Sequence, residues 1–290
     1  MTAYKDIELS VYEDAFRKEN FKMQPMHHQF ATLAKSLNEN LPRFGVFNGV
    51  GTGKTLNALY LAHVWRCKKI FVICPSSAFP AWEKNIKEGT DWSYVFLSGS
   101  RDTRIDLVNS KADVFIINYE GLKTIYGSRQ SVIEEDDDGT QVVKNPWQIE
   151  MQSMIHGFDC LIIDEFHKCG GFCDFKKMNI QTRIIHTLAS RARCLFGLTG
   201  TPFKNELLNT WALMMMLNNG RALGNNFYTF RRKYHFNYWG HNWKLKPSKE
   251  DALLDAISQH SISFSKHECI DLPPLTREIL SVKKTAQQCK

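Results

Sequence analysis

The stretch Phe44-Gly-Val-Phe-Asn-Gly-Val-Gly-Thr-Gly-Lys-Thr55 decides the fold, because it joins a short apolar run to a glycine-rich loop that ends in Lys-Thr. A helix-forming run, residues 54 to 67, follows it. Glycines let backbone N–H groups turn toward an anion, and the N-terminus of the next helix adds positive partial charge at the same place. The pattern predicts a phosphate-binding loop between a strand and a helix. Lys54 would contact the β- and γ-phosphates of a nucleotide, and the Thr55 hydroxyl would bind magnesium.

The loop departs from the full eight-residue phosphate-binding pattern at its first position, where Asn48 replaces glycine. The shorter Gly-x-Gly-Lys-Thr core is intact. The alternative is a glycine-rich turn with an incidental Lys-Thr pair, but the flanking strand and helix favour the phosphate loop. The loop residues predicted to bind nucleotide are Gly49, Gly51, Thr52, Gly53, Lys54 and Thr55.

A second motif, Leu161-Ile-Ile-Asp-Glu-Phe-His167, is a buried-type apolar strand that ends in two acids. Such a strand delivers carboxylates to the carboxyl edge of a parallel sheet, where a phosphate loop also lies. We expect Asp164 to hold Mg²⁺ through water and Glu165 to orient or deprotonate the attacking water. His167 either links this site to the next motif or is a polar residue on the first turn of a helix.

Five short apolar runs predict strands buried on both faces, and helical stretches separate them. This alternation predicts an α/β fold with a parallel sheet flanked by helices. Residues 126–146 interrupt the rhythm and are predicted to form a flexible surface insertion. From about residue 218 the sequence becomes aromatic and basic. The predicted strands are Ile70 to Cys74, Tyr94 to Leu97, Val114 to Asn118, Cys160 to Ile163 and Cys194 to Leu198.

Composition predicts a soluble intracellular protein. The chain has 290 residues, 43% of them hydrophobic, and no uninterrupted run of eighteen apolar residues. Eight scattered cysteines do not resemble a disulfide framework, so reduced thiols are expected. We expect a cytoplasmic location, which would be nuclear in a eukaryote and the host cytoplasm for a virus.

Charge is unevenly distributed around a net value of +7. Residues 221–250 hold seven Lys or Arg against one acid, whereas residues 134–138 are five consecutive acids that we interpret as solvated. The aromatic and basic residues 226–246 either contact nucleic acid or form a helix whose rings pack beneath the domain. A zinc site at His167, Cys169 and Cys173 is a weaker alternative, because a fourth ligand at usable spacing is missing.

Together these motifs resemble motifs I and II of superfamily-two helicases, with Asp164-Glu-Phe-His167 as a DExH box. Leu198-Thr-Gly-Thr-Pro202 and its continuation to Trp211 resemble motif III of the Swi/Snf family of double-stranded DNA translocases. Cys74-Pro-Ser-Ser, followed by Trp82-Glu83, is similar to motif Ia of that family, and Asp113 to Glu120 resembles motif Ib. Gln29 lies 25 residues before Lys54, about where the family places the glutamine that reads adenine.

The resemblance implies a RecA-like P-loop NTPase lobe with a small C-terminal helical appendage. It divides the chain into an N-terminal extension (1–21), the lobe itself (22–217) and a basic, aromatic appendage and linker (218–290). Thr199, Gly200 and Thr201 of motif III are expected to couple the nucleotide state to lobe movement, or else to cap the helix that begins near Phe203. The candidate contacts to nucleic-acid phosphates, each of which has the alternative of an ordinary loop cap or strand-end hydrogen bond, are Ser76, Ser77, Asn118 and Tyr119.

The implied function is the first motor lobe of an ATP-dependent, Mg²⁺-dependent DNA translocase. In the family a second RecA-like lobe supplies arginines to the γ-phosphate, and we find no such lobe before Lys290. We expect it in cis in a longer protein or in trans, and we expect slow ATP hydrolysis without it. Two alternatives are a nucleotide-dependent binding module without motor activity and a strand-separating DExH helicase acting on RNA or DNA.

Overall fold

A seven-stranded, fully parallel sheet forms the centre of the molecule in the computed structural model. The structure describes residues 19, 21–129, 132–135, 141–144, 147–149, 157–170, 178–200, 207–238 and 242–269. The strand order is β13-β1-β10-β9-β2-β4-β3. The strands are β1 (Arg43–Val46), β2 (Ile70–Cys74), β3 (Tyr94–Phe96), β4 (Val114–Asn118), β9 (Cys160–Asp164), β10 (Cys194–Leu198) and β13 (Ser261–Ile262).

The predicted α/β fold is confirmed, and all five predicted runs are strands of this sheet. Central strands such as β2 and β10 are buried at every residue, because helices cover both faces of the sheet. Two hydrophobic cores result, one on each face. The helices are α1 (His27–Asn38), α2 (Lys54–Val64), α3 (Phe79–Gly89), α4 (Arg101–Val108), α5 (Gly121–Tyr126), α6 (Ile180–Arg191), α7 (Thr210–Asn218), α8 (Phe227–Tyr234), α9 (Glu250–Ser258) and α10 (Lys266–Cys269).

Arg43, the first residue of β1, ties two helices to the amino edge of the sheet. Its guanidinium donates hydrogen bonds to the carbonyls of Ala189 and Ala192 at the end of α6, at 2.9 and 2.8 Å. It also donates to Met216 and Leu217 near the end of α7, at 2.5 and 3.0 Å. The last carbonyls of a helix have no partner within it, so one planar fork of donors satisfies both helix ends.

The 126–146 insertion contains paired strands in the parts that the structure describes. Strand β5 (Gly127–Arg129) pairs with β8 (Trp147–Ile149), and β6 (Val132–Glu135) pairs with β7 (Gln141–Lys144), both antiparallel. Two runs with β-branched residues thus extend and pair across the acidic centre of the segment, while its flexibility remains a prediction.

The region after residue 218 contributes to the sheet as well as to the appendage. Strand β11 (His235–Tyr238) pairs with β12 (Asn242–Leu245) as an antiparallel ribbon, while β13 lies parallel to β1 at the sheet edge. The division at residue 217 remains a prediction. Within the described ranges, no helix is long and apolar enough to cross a membrane.

Candidate nucleotide site

The phosphate loop joins the end of β1 to the start of α2, as the sequence predicts. Gly51 and Gly53 have positive φ angles of 82° and 73°, which glycine adopts without steric cost. A Cβ atom at position 53 would also lie 2.8 Å from the side-chain nitrogen of Gln29. The positive φ angle therefore favours glycine at 53, and a larger residue there would also have to displace the end of the Gln29 side chain.

Lys54 folds back over its own loop. Its Nζ donates to the carbonyls of Asn48 and Gly49, at 3.1 and 2.8 Å. Burial lowers the pKa of Lys54, and the negative charges of Asp164 and Glu165 oppose that shift. The ammonium is thus held within electrostatic reach of both acids, in a loop whose Thr52 hydroxyl also bonds internally to Gly49.

The acidic motif ends at the same edge of the sheet as the phosphate loop. In the parallel register Val46 pairs with Leu198, and Leu198 pairs with Asp164, so the three strand ends lie side by side. The Trp82 indole N–H donates to Asp164 Oδ2 at 3.1 Å, and the Glu165 backbone N–H donates to Oδ1 at 2.9 Å. Burial nevertheless raises the pKa of Asp164, and the neighbouring Glu165 charge adds to that rise. A cation at this position would offset the buried negative charge.

Glu165 and His167 form a polar link between the acidic motif and β10. Glu165 has a left-handed backbone with φ of 52°, an uncommon conformation for a residue with a Cβ atom. His167 Nδ1 lies 3.2 Å from Glu165 Oε2 and 3.0 Å from the Thr199 hydroxyl. Of the two alternatives for His167, the geometry matches the contact with the next motif.

Motif III lies directly against the phosphate loop. A Cβ atom added to Gly200 would lie 3.1 Å from Val50 and 3.6 Å from Lys54 Nζ. Thr199 is fully buried, while Thr201 lies outside the described residues. Within β10, a Cβ at Gly197 would lie 2.4 Å from the ring of Phe166, so glycine there leaves room for the residue that follows Glu165.

Helix α1 supports the other side of the loop. The Gln29 side chain donates to the Gly53 carbonyl at 3.2 Å and accepts from the Met26 backbone at 2.8 Å. His28 Nε2–H donates to the Thr52 carbonyl at 2.8 Å, and burial lowers the pKa of this imidazole. Gln29 is therefore beside the loop, as expected for a residue near the nucleotide.

Sequence reasoning missed the partner of Asn48. The Phe264 backbone N–H donates to Asn48 Oδ1 at 3.0 Å, and the Gly49 N–H donates to the Phe264 carbonyl at 2.8 Å. The side chain of Asn48 is fully buried. The residue that departs from the phosphate-loop pattern thus joins that loop to the chain 216 residues later. Its polar side chain within an otherwise apolar and glycine-rich stretch was the only sequence signal.

The candidate nucleic-acid residues separate into two groups. Ser76 and Ser77 are exposed in a short 3₁₀ turn after β2, and Asn118 is half-buried at the end of β4. Tyr119 is only 5% exposed, and its hydroxyl donates to the Asp164 carbonyl at 2.5 Å. Tyr119 differs from the expectation, because its phenol is used inside the protein to support the acidic motif.

The residues of the zinc alternative are only partly described. Cys169 is fully buried in a hydrophobic core, and burial raises its thiol pKa to about 12. Cys173 lies outside the described residues. His167 is occupied by the contacts with Glu165 and Thr199 described above.

Residues 34–290 match the family described as the SNF2-related domain. The chain belongs to this family. The SNF2-related chain is 28% identical over 193 residues to the ISWI chromatin-remodeling complex ATPase ISW2 of Saccharomyces cerevisiae, a match that covers 63% of the chain and 14% of ISW2. It is 26% identical over 209 residues to ISW1 of the same yeast, covering 68% of the chain and 16% of ISW1.

A viral relative and a solved structure extend over more of the SNF2-related chain. Putative protein p41 of Acyrthosiphon pisum secondary endosymbiont phage 1 is 23% identical over 268 residues, covering 86% of the chain and 52% of p41. The Sulfolobus solfataricus SWI2/SNF2 ATPase core in complex with dsDNA shares the fold with a TM-score of 0.58 at 19% identity. That match covers 86% of the chain and 46% of the archaeal chain. The SNF2-related chain thus spans about half or less of each of these proteins.

Proposed function

We propose that the chain is the first motor lobe of an ATP-dependent translocase that moves on double-stranded DNA. The observation that carries the proposal is that the phosphate loop and the acidic motif end at the same edge of the sheet, with Lys54 within electrostatic reach of Asp164 and Glu165, in a chain of the SNF2-related family. A phosphate-binding ammonium beside two carboxylates is the arrangement that nucleoside triphosphate hydrolysis needs. Family membership supports ATPase chemistry in general, and the duplex in the archaeal structure supports the choice of DNA.

The nucleotide would bind along the phosphate loop. Backbone N–H groups from Gly49 to Thr55 would face the phosphates, and Lys54 would exchange its carbonyl partners at Asn48 and Gly49 for phosphate oxygens. Gln29, which already touches Gly53, would contact the adenine. The change of partner at Lys54 needs only a rotation of a flexible side chain.

The residues fit a magnesium ion by the chemistry of their donors. Thr55 offers a hydroxyl, and Asp164 offers a carboxylate whose charge is buried and only partly offset by Trp82. Mg²⁺ prefers such oxygen ligands and keeps several waters. When bound, such an ion would neutralise negative charge that develops on the phosphates during hydrolysis. Glu165 would hold the attacking water, and His167 would carry the state of the site to Thr199 and the rest of motif III.

Nucleic acid would lie across the carboxyl edge, on Ser76, Ser77 and Asn118. Hydroxyl and amide groups at that edge suit phosphate contacts, which hold a strand without reading its bases. A second RecA-like lobe, in cis or in trans, would complete this track and supply arginines to the γ-phosphate. The proposed location of such a protein is inside the cell, where ATP and DNA are both present.

Two variants of the full-length protein test the assignment. Glu165→Gln should reduce ATP turnover by about 100-fold or more, because it removes the group that orients water, while Mg-ATP binding persists. Lys54→Ala should abolish measurable Mg-ATP binding. Turnover is measured with and without duplex DNA, binding by calorimetric titration, and Lys111→Ala, at an exposed lysine on the amino edge, is the matched control.

The outcomes also separate the alternatives. Turnover by Glu165→Gln at the wild-type rate would contradict the role of that carboxylate. ATPase activity stimulated by duplex DNA without strand separation supports a translocase, whereas unwinding supports the strand-separating helicase. Nucleotide binding with neither turnover nor DNA binding supports the binding module.

A further inference from the structure

A dense patch of positive charge lies on helix α8 and the β11–β12 ribbon, outside the nucleotide site. Residues 221–250 contain seven Lys or Arg and one acid, whereas the whole chain contains 37 and 30. Arg232 and Lys233 are exposed in the last turn of α8, and Lys244 is exposed on β12. Three exposed cations of this stretch therefore lie on one helix-and-ribbon unit.

The interior of this unit is well defined. Arg231 stacks over the Trp243 ring, 3.9 Å from its centroid, and Lys246 donates to the carbonyls of Arg232 and Lys233 at 2.6 and 3.3 Å. His235 is buried, and desolvation lowers its pKa to about 4. Arg231 and Lys246 thus serve the internal structure of the unit, and the neutral His235 adds no charge at pH 7.

The outer face of the ribbon combines a cation with an exposed ring. Phe236 lies directly opposite Lys244 in the antiparallel register, and side chains paired in this way share one face. His235 and Leu245, the next pair, face inward. Phe236 remains 38% exposed, although a ring of that size is normally buried. The ribbon therefore presents an exposed aromatic ring beside the positive side chain of Lys244.

The unit is anchored toward the carboxyl edge of the sheet. The Trp211 indole N–H, in the first turn of α7, donates to the Gly224 carbonyl at 2.9 Å, and its ring meets Phe227 at the start of α8. Helix α7 in turn begins beside Gly170, just after the acidic motif, where a Cβ would lie 3.2 Å from Asn209. The start of α7 thus contacts both the segment after the acidic motif and the start of this unit.

We propose that Arg232, Lys233, Phe236 and Lys244 form a second nucleic-acid contact, which we name the hairpin surface. The three cations would neutralise backbone phosphates, and Phe236 would pack against a sugar or base. An acidic peptide would also attract the cations, but it gives no reason for an exposed ring opposite Lys244. The inference rests on the proposed function, since it adds a contact for the same nucleic acid.

Charge-neutralising variants of the full-length protein test the hairpin surface. Arg232→Gln, Lys233→Gln and Lys244→Gln combined should weaken duplex DNA binding by about tenfold or more at moderate salt. The slope of log affinity against log salt should fall by about 2 to 3, because each phosphate contact contributes about 0.9. Fluorescence anisotropy with a labelled duplex across a salt series gives both quantities.

The matched control removes three exposed cations from the opposite edge: Lys68→Gln, Lys111→Gln and Arg191→Gln. These residues precede β2, β4 and β10, at the amino edge of the sheet, and the net charge change is identical. The control should retain both the affinity and the salt slope of the wild type. Equal losses in the two triple variants would overturn the hairpin surface and leave only a general charge effect.

Further arms distinguish this inference from the proposed function. Phe236→Ala should weaken duplex DNA binding relative to the wild type, and the weakening should persist at high salt, where charges are screened but ring contacts remain. If the wild type binds no nucleic acid, the proposed function fails. If Ser76→Ala with Ser77→Ala abolishes binding while the hairpin variants bind as the wild type does, only the hairpin surface fails. An unchanged DNA affinity with weaker binding of an acidic peptide would overturn it in favour of a protein partner.

Discussion

At the scale of single residues, Trp82 supports the acidic motif from a position 82 residues away in the sequence. Among the described residues, its indole N–H and the Glu165 backbone N–H donate to the half-buried Asp164 carboxylate. A hydrogen bond to a charged group contributes about 1.5–3 kcal/mol, so its loss would leave the carboxylate poorly solvated. The donor therefore keeps Asp164 ionised and oriented for a cation.

We predict that Trp82→Phe weakens Mg-ATP binding by about tenfold while the fold is retained. The ring still fills the core, but Asp164 loses a donor, and its already raised pKa rises further. Trp65→Phe is the matched control, since the Trp65 indole N–H donates to the Ser36 hydroxyl at 2.9 Å, far from the site. Calorimetric titration measures affinity and thermal melting measures stability. Equal affinities in the two variants would show that Trp82 serves packing alone.

The residues that the sequence identified are those carried by contiguous motifs. Lys54, Asp164 and Glu165 each stand at a fixed position after an apolar strand, and strand ends meet at one edge, so proximity follows from the pattern. Trp82 and His28 contact the site through folding over long separations, which a local pattern does not encode. The position of Tyr119 after β4 is predictable from the sequence, but the direction of its side chain, which donates to the Asp164 carbonyl, is not.

At the scale of elements, β13 and the phosphate loop act as one unit. Backbone hydrogen bonds join Gly45, Phe47 and Gly49 to His260, Ile262 and Phe264 in turn. The last of these hydrogen bonds, from Gly49 to Phe264, lies beyond the strand and within the phosphate loop. There the Asn48 side chain accepts a second hydrogen bond from the Phe264 backbone. Any displacement of this late segment would therefore act directly on the residues proposed to hold phosphate.

We predict that Asn48→Ala weakens ATP binding by about tenfold, or about 1.4 kcal/mol. The variant leaves the buried Phe264 N–H without its acceptor and frees the first residue of the loop. Ser263→Ala is the control, because it removes a bond of 2.9 Å to the Phe47 carbonyl in the same pair of segments without touching the loop. Both variants should melt at lower temperature, whereas only Asn48→Ala should lose affinity. A similar loss in Ser263→Ala would assign the effect to general loosening of the sheet edge.

The strands also show what a sequence pattern can predict. The five-residue apolar runs of β2 and β10 can be recognised as strands from their composition, and they lie in the central part of the sheet. Strand β13 has only the two residues Ser261 and Ile262, and its pairing partner lies more than 200 residues earlier. Neither propensity nor periodicity is informative at that length. The paired strands in and beside the 126–146 insertion were not predicted, because their short apolar runs are separated by five consecutive acids and a glycine.

At the scale of the whole molecule, the two edges of the sheet differ: the candidate site lies at the carboxyl edge, and the ends of two helices are held at the amino edge. The carboxyl edge gathers the phosphate loop, the acidic motif and motif III. At the amino edge, Arg43 gathers the ends of α6 and α7, joining parts of the chain that are 146 to 174 residues apart. The family match and the parallel topology predict the first arrangement. The second depends on one side chain reaching four carbonyls, for which the sequence offers no motif.

We predict that Arg43→Ala lowers the free energy of unfolding by about 3–5 kcal/mol, because it leaves four partly buried carbonyls without this donor and opens a cavity. Arg43→Lys should recover only part of that loss, since an ammonium has three donors and lacks the planar fork that faces both helices at once. Urea unfolding of the two variants measures the difference. The folded fraction should keep its affinity for Mg-ATP, because the Arg43 hydrogen bonds lie at the edge of the sheet opposite the phosphate loop. Wild-type stability in Arg43→Lys would show that charge alone, and not the geometry of the guanidinium, holds the two helix ends together.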